Sequence, residues 1–281
     1  MITAVTTVAP AKINLVLDVG GRRPDGFHEL DSLFVAIDLV DEVLVEPARE
    51  DALVVTGPAA DGVPTDGSNL VVRAIEALRV RFDIPPLRVI LHKRIPPAGG
   101  LGGGSSDAAA VIRAADRLLG LGLDRPAQAA VGIEVGSDVP FFSHGGAARV
   151  RGRGELVEEL VDGTTRLIVM PLGSASAGKT GRLFAALDRA ERAPLFRTAA
   201  LAATWPAVEE THLGNDFERV CAAELPESAR AWDIFLRAGI QPHLSGAGPS
   251  LFALPLGGSQ IPGAVSVRTL SRADSLALRG G

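Results

Sequence analysis

Cysteine is almost absent from this 281-residue chain: Cys221 stands alone, so no internal disulfide framework is available, and the residue is expected to serve as a small packing group. Five scattered histidines, with no HExxH and no CxxC, leave no thiolate metal cluster to assemble. Tyrosine is missing altogether. There is no basic block either. Its 28 Lys and Arg stand against 33 Asp and Glu, a formal charge of -5, which gives no electrostatic footprint for nucleic acid or an anionic membrane. Long apolar runs are lacking: Leu33 to Val40, with Asp38 inside it, falls far short of the ~20 residues a membrane span needs. The opening MITAVTTVAPAKIN has no basic region and is interrupted by Pro10 and Lys12, so no export signal is predicted. These exclusions leave an expected soluble, cytoplasmic protein whose partner is a small molecule, with no nucleic acid and no membrane.

With 47% hydrophobic and 22% charged residues, a substantial core is available, and two domains are expected, 1–162 and 163–281. Strands are predicted at Lys12 to Val19, Leu33 to Leu39 and Asp41 to Glu46, runs of Val, Leu and Ile bounded by Gly, Pro or Asp. Helical spacing covers Asn69 to Phe82, with Ser68 as its cap. A strand at Arg88 to His92 precedes an Ala-rich helix over Ser106 to Leu119, closed by Gly120, and another helix covers Ala127 to Glu134. Gly145 to Gly154 reads as a hairpin edge. Beyond it the pattern predicts strands at Arg166 to Met170, Ser250 to Leu254 and, last, Ala264 to Thr269. Helices are expected near Thr180 to Arg189 and Glu227 to Ala238. Strands and helices without a regular βαβ rhythm indicate an α+β class.

The stretch from Pro96 to Ser106, PPAGGLGGGSS, places five glycines in the six positions Gly99 to Gly104, interrupted only by Leu101, directly before a helix. Glycine admits positive φ and lets backbone N–H groups close on a ligand, and a helix N-terminus adds roughly half a positive charge. Such a loop between a buried strand and an Ala-rich helix suits a di- or triphosphate. A hydroxyl from Ser105 or Ser106 is a candidate for the Mg2+ that accompanies ATP.

A second stretch, Gly173-Ser-Ala-Ser-Ala-Gly-Lys179-Thr180, satisfies GxxxxGK[ST] literally. No apolar strand ending in an acid follows it, and the parallel sheet of a P-loop fold is missing. It is therefore read as a strand-to-helix connection with Lys179 exposed.

Four blocks carry a resemblance to a known family: APAKINLVLDVGGRRPDGFHELDSLF, IPPAGGLGGGSSDAA, GSDVPFF and LSGAGPSLF, in that order. From about Ala9 to Leu254 the chain resembles the 4-diphosphocytidyl-2-C-methyl-D-erythritol kinases, a branch of the GHMP kinases. The glycine loop is common to the whole superfamily, whereas RRPDGFHEL points to this branch. The resemblance implies a two-domain GHMP kinase fold, with the phosphate loop in an N-terminal α+β domain and a ferredoxin-like C-terminal domain. It implies ATP-dependent phosphorylation of the 2-hydroxyl of a cytidine-diphosphate-linked methylerythritol, in the non-mevalonate route to isoprenoid precursors.

It also implies roles for residues. Pro96, Pro97, Ala98, Gly99, Gly100, Leu101, Gly102, Gly103, Gly104, Ser105 and Ser106 would hold ATP. Asp138 would be the catalytic base, and Lys12 the cation beside it. Taken alone, Lys12 also suits a strand lysine reaching for water, and Asp138 an aspartate capping the turn before Pro140. Phe27 and His28 fall where the family recognises cytosine, with Phe27 replacing the commoner tyrosine, and Asn14 is placed beside the substrate. Gly246 and Gly248 of SGAGP match the third motif, although Ala247 stands where a hydroxyl residue is common. The tail after Leu254 leaves no room for a helix before the final strand.

Overall fold

The computed structural model describes residues 3–173, 178–190, 197–257 and 260–280. Of the sequence features above, Ser174 to Ala177 of the second glycine motif and Gly258 and Ser259 of the tail lie outside them.

Two long strands form the backbone of the larger sheet, β1 (Val5–Arg22) and β2 (His28–Pro47), paired antiparallel along their length. Sequence had split β2 into two strands at Asp41. The acid does not end the strand, because its carboxylate is satisfied where it lies, accepting the N–H groups of Arg94 at 2.5 Å and Ile95 at 2.9 Å. Pro10 sits at a register irregularity of β1, a position where its missing N–H breaks no ladder bond. The strand period of two puts Lys12 and Asn14 on one face, while Ala11 and Ile13 enter the core opposite.

Strand β3 (Ala52–Thr56) is followed by helix α1 (Leu70–Arg79) and strand β4 (Leu87–His92), which pairs parallel to β3. The cap of α1 is Asn69, not Ser68: the Asn69 side chain accepts the Val71 N–H at 2.9 Å, whereas the Ser68 hydroxyl donates to Asp66. Helix α2 (Gly103–Leu119) starts three residues earlier than its composition indicates, because Gly102 turns the chain at φ 71 and its carbonyl already accepts the Ser106 N–H. Residues 106–115 of α2 are all buried, and Gly120 ends it in the left-handed conformation. Helices α3 (Arg125–Val135) and α4 (Val139–His144) and the hairpin of β5 (Ala147–Gly152) with β6 (Leu156–Glu159) complete this half, β5 pairing with β2.

The next elements are β7 (Arg166–Met170), α5 (Lys179–Arg189), α6 (Arg197–Thr204), β8 (Gly214–Asn215), α7 (Glu218–Glu224), α8 (Pro226–Arg237), β9 (His243–Leu244), β10 (Leu251–Ala253) and β11 (Val265–Arg268). Strands β11-β7-β10-β9 form a second, antiparallel sheet. Numbered along the chain that order is 4-1-3-2, as in a ferredoxin-like unit, and among the described residues no helix separates β10 from β11. Strand β11 is not the last. After α9 (Arg272–Ser275), β12 (Leu278–Gly280) pairs with Val5 to Thr7 of β1 in the first sheet, and β8 adds to β1 as well. Three residues of leucine, arginine and glycine carry no period that sequence reading could detect. No helix among the described residues is long and apolar enough to cross a membrane.

Candidate active site

A cavity of about 1050 Å³ opens between β1, the glycine loop, the start of α4, the third motif and α5. Lys12 and Asn14 face it from β1. Asp138 enters from the turn before α4, and Ala98, Gly100, Gly102 and Ser105 from the loop.

Lys12 is nearly sealed, its side chain 3% exposed against 35% for Asp138, and the two form an ion pair at 3.9 Å. Burial pushes the Lys12 pKa below its ordinary value, and Asp138 opposes that shift. The ammonium also donates to Oδ1 of the Asn14 side chain and lies 4.9 Å from the centre of the Phe34 ring. Asn14 in turn donates to Ser32 at 2.9 Å, which fixes its amide. Asp138 occupies the cap position of α4 but makes no side-chain cap bond, so its carboxylate is free for the cavity. An aspartate whose purpose was to hold the turn would point the other way.

The loop is fastened to these groups through its backbone. The Lys12 N–H donates to the Leu101 carbonyl at 2.9 Å, and the Ser250 N–H to the Gly99 carbonyl at 3.0 Å. Two glycines are required where loop and third motif meet. A Cβ on Gly100 would stand 2.2 Å from the Ser245 carbonyl oxygen, and one on Gly246 would stand 2.7 Å from Lys12 Nζ; both residues have positive φ, 82° and 53°. Ser105 lines the cavity, whereas Ser106 is buried inside α2 with its hydroxyl unpartnered among the described residues. Of the two candidate metal hydroxyls, Ser105 therefore has access. Leu101 packs into the core beneath the loop, and Gly248 turns toward Leu244 and Leu225.

Beneath the helix N-terminus lies a buried ionic triad. Lys93 donates to Asp41 and, at 2.7 Å, to Asp107. Burial works against the charge on Lys93, but the two carboxylates outweigh it and raise its pKa. Asp107 is pushed up to about 7, chiefly by burial, with Lys93 opposing and Asp41 adding. Its second oxygen, Oδ1, has no partner among the described residues.

At the far end Phe27 is 47% exposed, and the Arg153 guanidinium lies 5.2 Å from its ring centre. His28 is buried, stacked on Phe184 at 4.5 Å with an interplanar angle of 6°, and 3.0 Å from Asp188. Lys179 contradicts the expectation of exposure. It is 7% exposed, and its ammonium donates to the Ala98 carbonyl at 2.6 Å and to that of Gly248. The N-terminus of α5 faces the cavity, so a side chain there enters the cleft and not the solvent.

Residues 69–146 match the family described as "GHMP kinases N terminal domain". A 4-diphosphocytidyl-2-C-methyl-D-erythritol kinase from Mycolicibacterium gilvum is 40% identical over 261 residues, covering 88% of this chain and 80% of its own length. The chain belongs to the 4-diphosphocytidyl-2-C-methyl-D-erythritol kinase family. The family member from Anaeromyxobacter is likewise 40% identical, over 88% of this chain and 80% of its own. A crystal structure of a kinase of this family superposes with a TM-score of 0.72 at 32% identity, covering 90% of each chain. Homoserine kinase from Cytophaga hutchinsonii, at a TM-score of 0.66 and 18% identity, shares the fold, covering 99% of this chain and 97% of its own.

Within this family member the cavity gathers Lys12, Asn14, Phe27, His28, Asp138 and Gly246 with the exposed part of the glycine loop. Sequence reasoning missed Phe184, Asp188 and Arg153, and it placed Lys179 on the surface when it lines the cavity. Phe184 and Asp188, four apart on a predicted helix, share a face, which was a readable signal. Nothing local marks Arg153. Lys179 carried a motif signal that was set aside because its fold context was wrong.

Proposed function

We propose that this chain transfers the γ-phosphoryl group of ATP to the 2-hydroxyl of 4-diphosphocytidyl-2-C-methyl-D-erythritol, in the cytoplasm, as a step of the non-mevalonate route to isoprenoid precursors. The observation that carries the reading is the Lys12–Asp138 pair facing the glycine loop across one cavity. The unit spanning 1–162 supplies the phosphate loop and this pair, and 163–281 supplies the third motif and α5.

In this mechanism the N–H groups of the loop and the first turn of α2 hold the polyphosphate, with the helix dipole favouring its charge. Asp138, free of any cap bond, accepts the proton of the acceptor hydroxyl as its oxygen bonds to the γ-phosphorus and the bond to the bridging oxygen of ADP breaks. Lys12, held by Asn14 and 3.9 Å from Asp138, balances charge developing between the reactants. Among the described residues no group of three or more acidic, histidine or cysteine side chains is arranged to hold a metal ion, and an Mg2+ accompanying ATP would be held by phosphate oxygens and the Ser105 hydroxyl. When bound it would neutralise charge on the transferring group. Phe27 offers a stacking face for cytosine, and His28, held by Phe184 and Asp188, a polar edge.

The test is Asp138→Asn assayed against this substrate alongside mevalonate, homoserine and galactose. Turnover is expected to fall by roughly two to four orders of magnitude with ATP affinity near that of the wild type. Retained turnover refutes the base, and wild-type activity confined to another alcohol refutes the substrate.

A further inference from the structure

The second glycine motif carries a lysine, Lys179, that neither the loop nor the catalytic pair accounts for. Lys179 enters the cavity at the N-terminus of α5 and reaches two separate segments, the carbonyl of Ala98 in the glycine loop at 2.6 Å and that of Gly248 in the third motif. Ala98 has φ 53, a left-handed conformation unusual outside glycine, so the lysine grips the loop at its strained residue. An ammonium has three N–H donors, and these carbonyls take two of them.

The charge itself is under-compensated. Among the described residues its direct partners are two neutral carbonyls, while Glu227 acts from further off and Lys12 repels it. Burial pushes its pKa down to about 8. Two nearly buried ammonium groups share one cavity, an arrangement that costs free energy when the site is empty and is relieved by an anion. A sugar hydroxyl brings no such relief, whereas a phosphate oxygen does.

We propose that Lys179 is a phosphate-binding residue of the cleft, bracing the glycine loop against the third motif and giving its remaining N–H to a phosphate oxygen of a bound ligand. The inference rests on the proposed function, which places two phosphate-bearing molecules in the cavity: ATP and the cytidine-diphosphate-linked acceptor. Both present the same oxygen chemistry to this side chain.

Calorimetric titration separates them. Wild type, Lys179→Arg, Lys179→Gln and Lys179→Met are titrated with ATP, adenosine, the cytidine-diphosphate-linked acceptor and cytidine. Glutamine keeps two N–H donors for the carbonyls but removes the charge, so it isolates phosphate binding from bracing. In Lys179→Gln and Lys179→Met at least one phosphorylated ligand is expected to bind about tenfold or more weakly, its nucleoside holding within about twofold, and Lys179→Arg staying near the wild type. The ligand that weakens identifies the phosphate. Equal losses for a phosphorylated ligand and its nucleoside in Lys179→Gln, or no loss for either phosphorylated ligand, overturn the proposal while the proposed function stands. A wild type that binds neither phosphorylated ligand overturns both.

Discussion

Replacing Lys93 by methionine keeps an unbranched apolar side chain in place and removes only the cation shared by Asp41 and Asp107. Asp41 retains the N–H groups of Arg94 and Ile95. Asp107 loses the ammonium at 2.7 Å and already has one oxygen without a partner among the described residues. Removing one partner of a buried ion pair costs about 3–5 kcal/mol, because the other is left buried without compensation. At ~2–4 °C per kcal/mol for a chain of this size, the melting temperature should fall by roughly 6–20 °C. The loss should also depend on pH. The Asp107 pKa of about 7 in the native state lies above the ordinary carboxylate value. Between those two values the native state holds a proton that the unfolded state has released, so stability falls as pH rises through that window. Without Lys93 the native pKa rises further. Above pH 7 the wild type then levels off while the variant goes on losing up to ~1.4 kcal/mol per pH unit. Calorimetric melts of both proteins at pH 6, 7 and 8 read these effects directly. A destabilisation under about 1 kcal/mol, or a gap that stays constant above pH 7, refutes the account of the triad as a buried, mutually dependent unit.

Two further outcomes follow from the same packing. Gly100→Ala forces a Cβ to 2.2 Å from the Ser245 carbonyl at positive φ, and should cost about 2–5 kcal/mol in a urea melt. Gly104→Ala, whose Cβ would meet nothing nearer than Leu70 at 3.7 Å, should stay within about 1 kcal/mol of the wild type; equal losses in the two would show that the loop does not press on the third motif. The Cys221 thiol is pushed up to about 11, mainly by burial, so a thiol reagent at pH 8 should label it only after unfolding, and rapid labelling of the native protein would contradict its placement in the core.

The candidate site was legible in unequal parts. The glycine loop announced itself because close backbone approach demands glycine at several successive positions, a requirement visible in composition. Lys12 and Asp138 were conspicuous as charges among apolar neighbours, yet sequence alone left each with an ordinary alternative. Family resemblance, and then the 3.9 Å pairing with no cap bond on Asp138, decided between them. Lys179 was misjudged for the opposite reason. Its motif was read against the fold of a P-loop protein, and a lysine at a strand-to-helix connection is exposed unless another segment covers it. Here the glycine loop and the third motif do.

By itself the sequence determined the α+β class, most elements, the anion-binding loop and, through four ordered blocks, the family. These depend on local backbone chemistry and on periodicities that a single stretch of chain expresses. Tertiary structure alone decided that Asp41 continues a strand, since its partners lie some fifty residues away on the following turn. It alone joined β12 to β1 across nearly the whole chain and stacked Phe184 on His28. It alone turned Lys179 inward. Each of these rests on a buried polar or aromatic group finding its partner from a distant segment, and no window of sequence contains both members of such a pair.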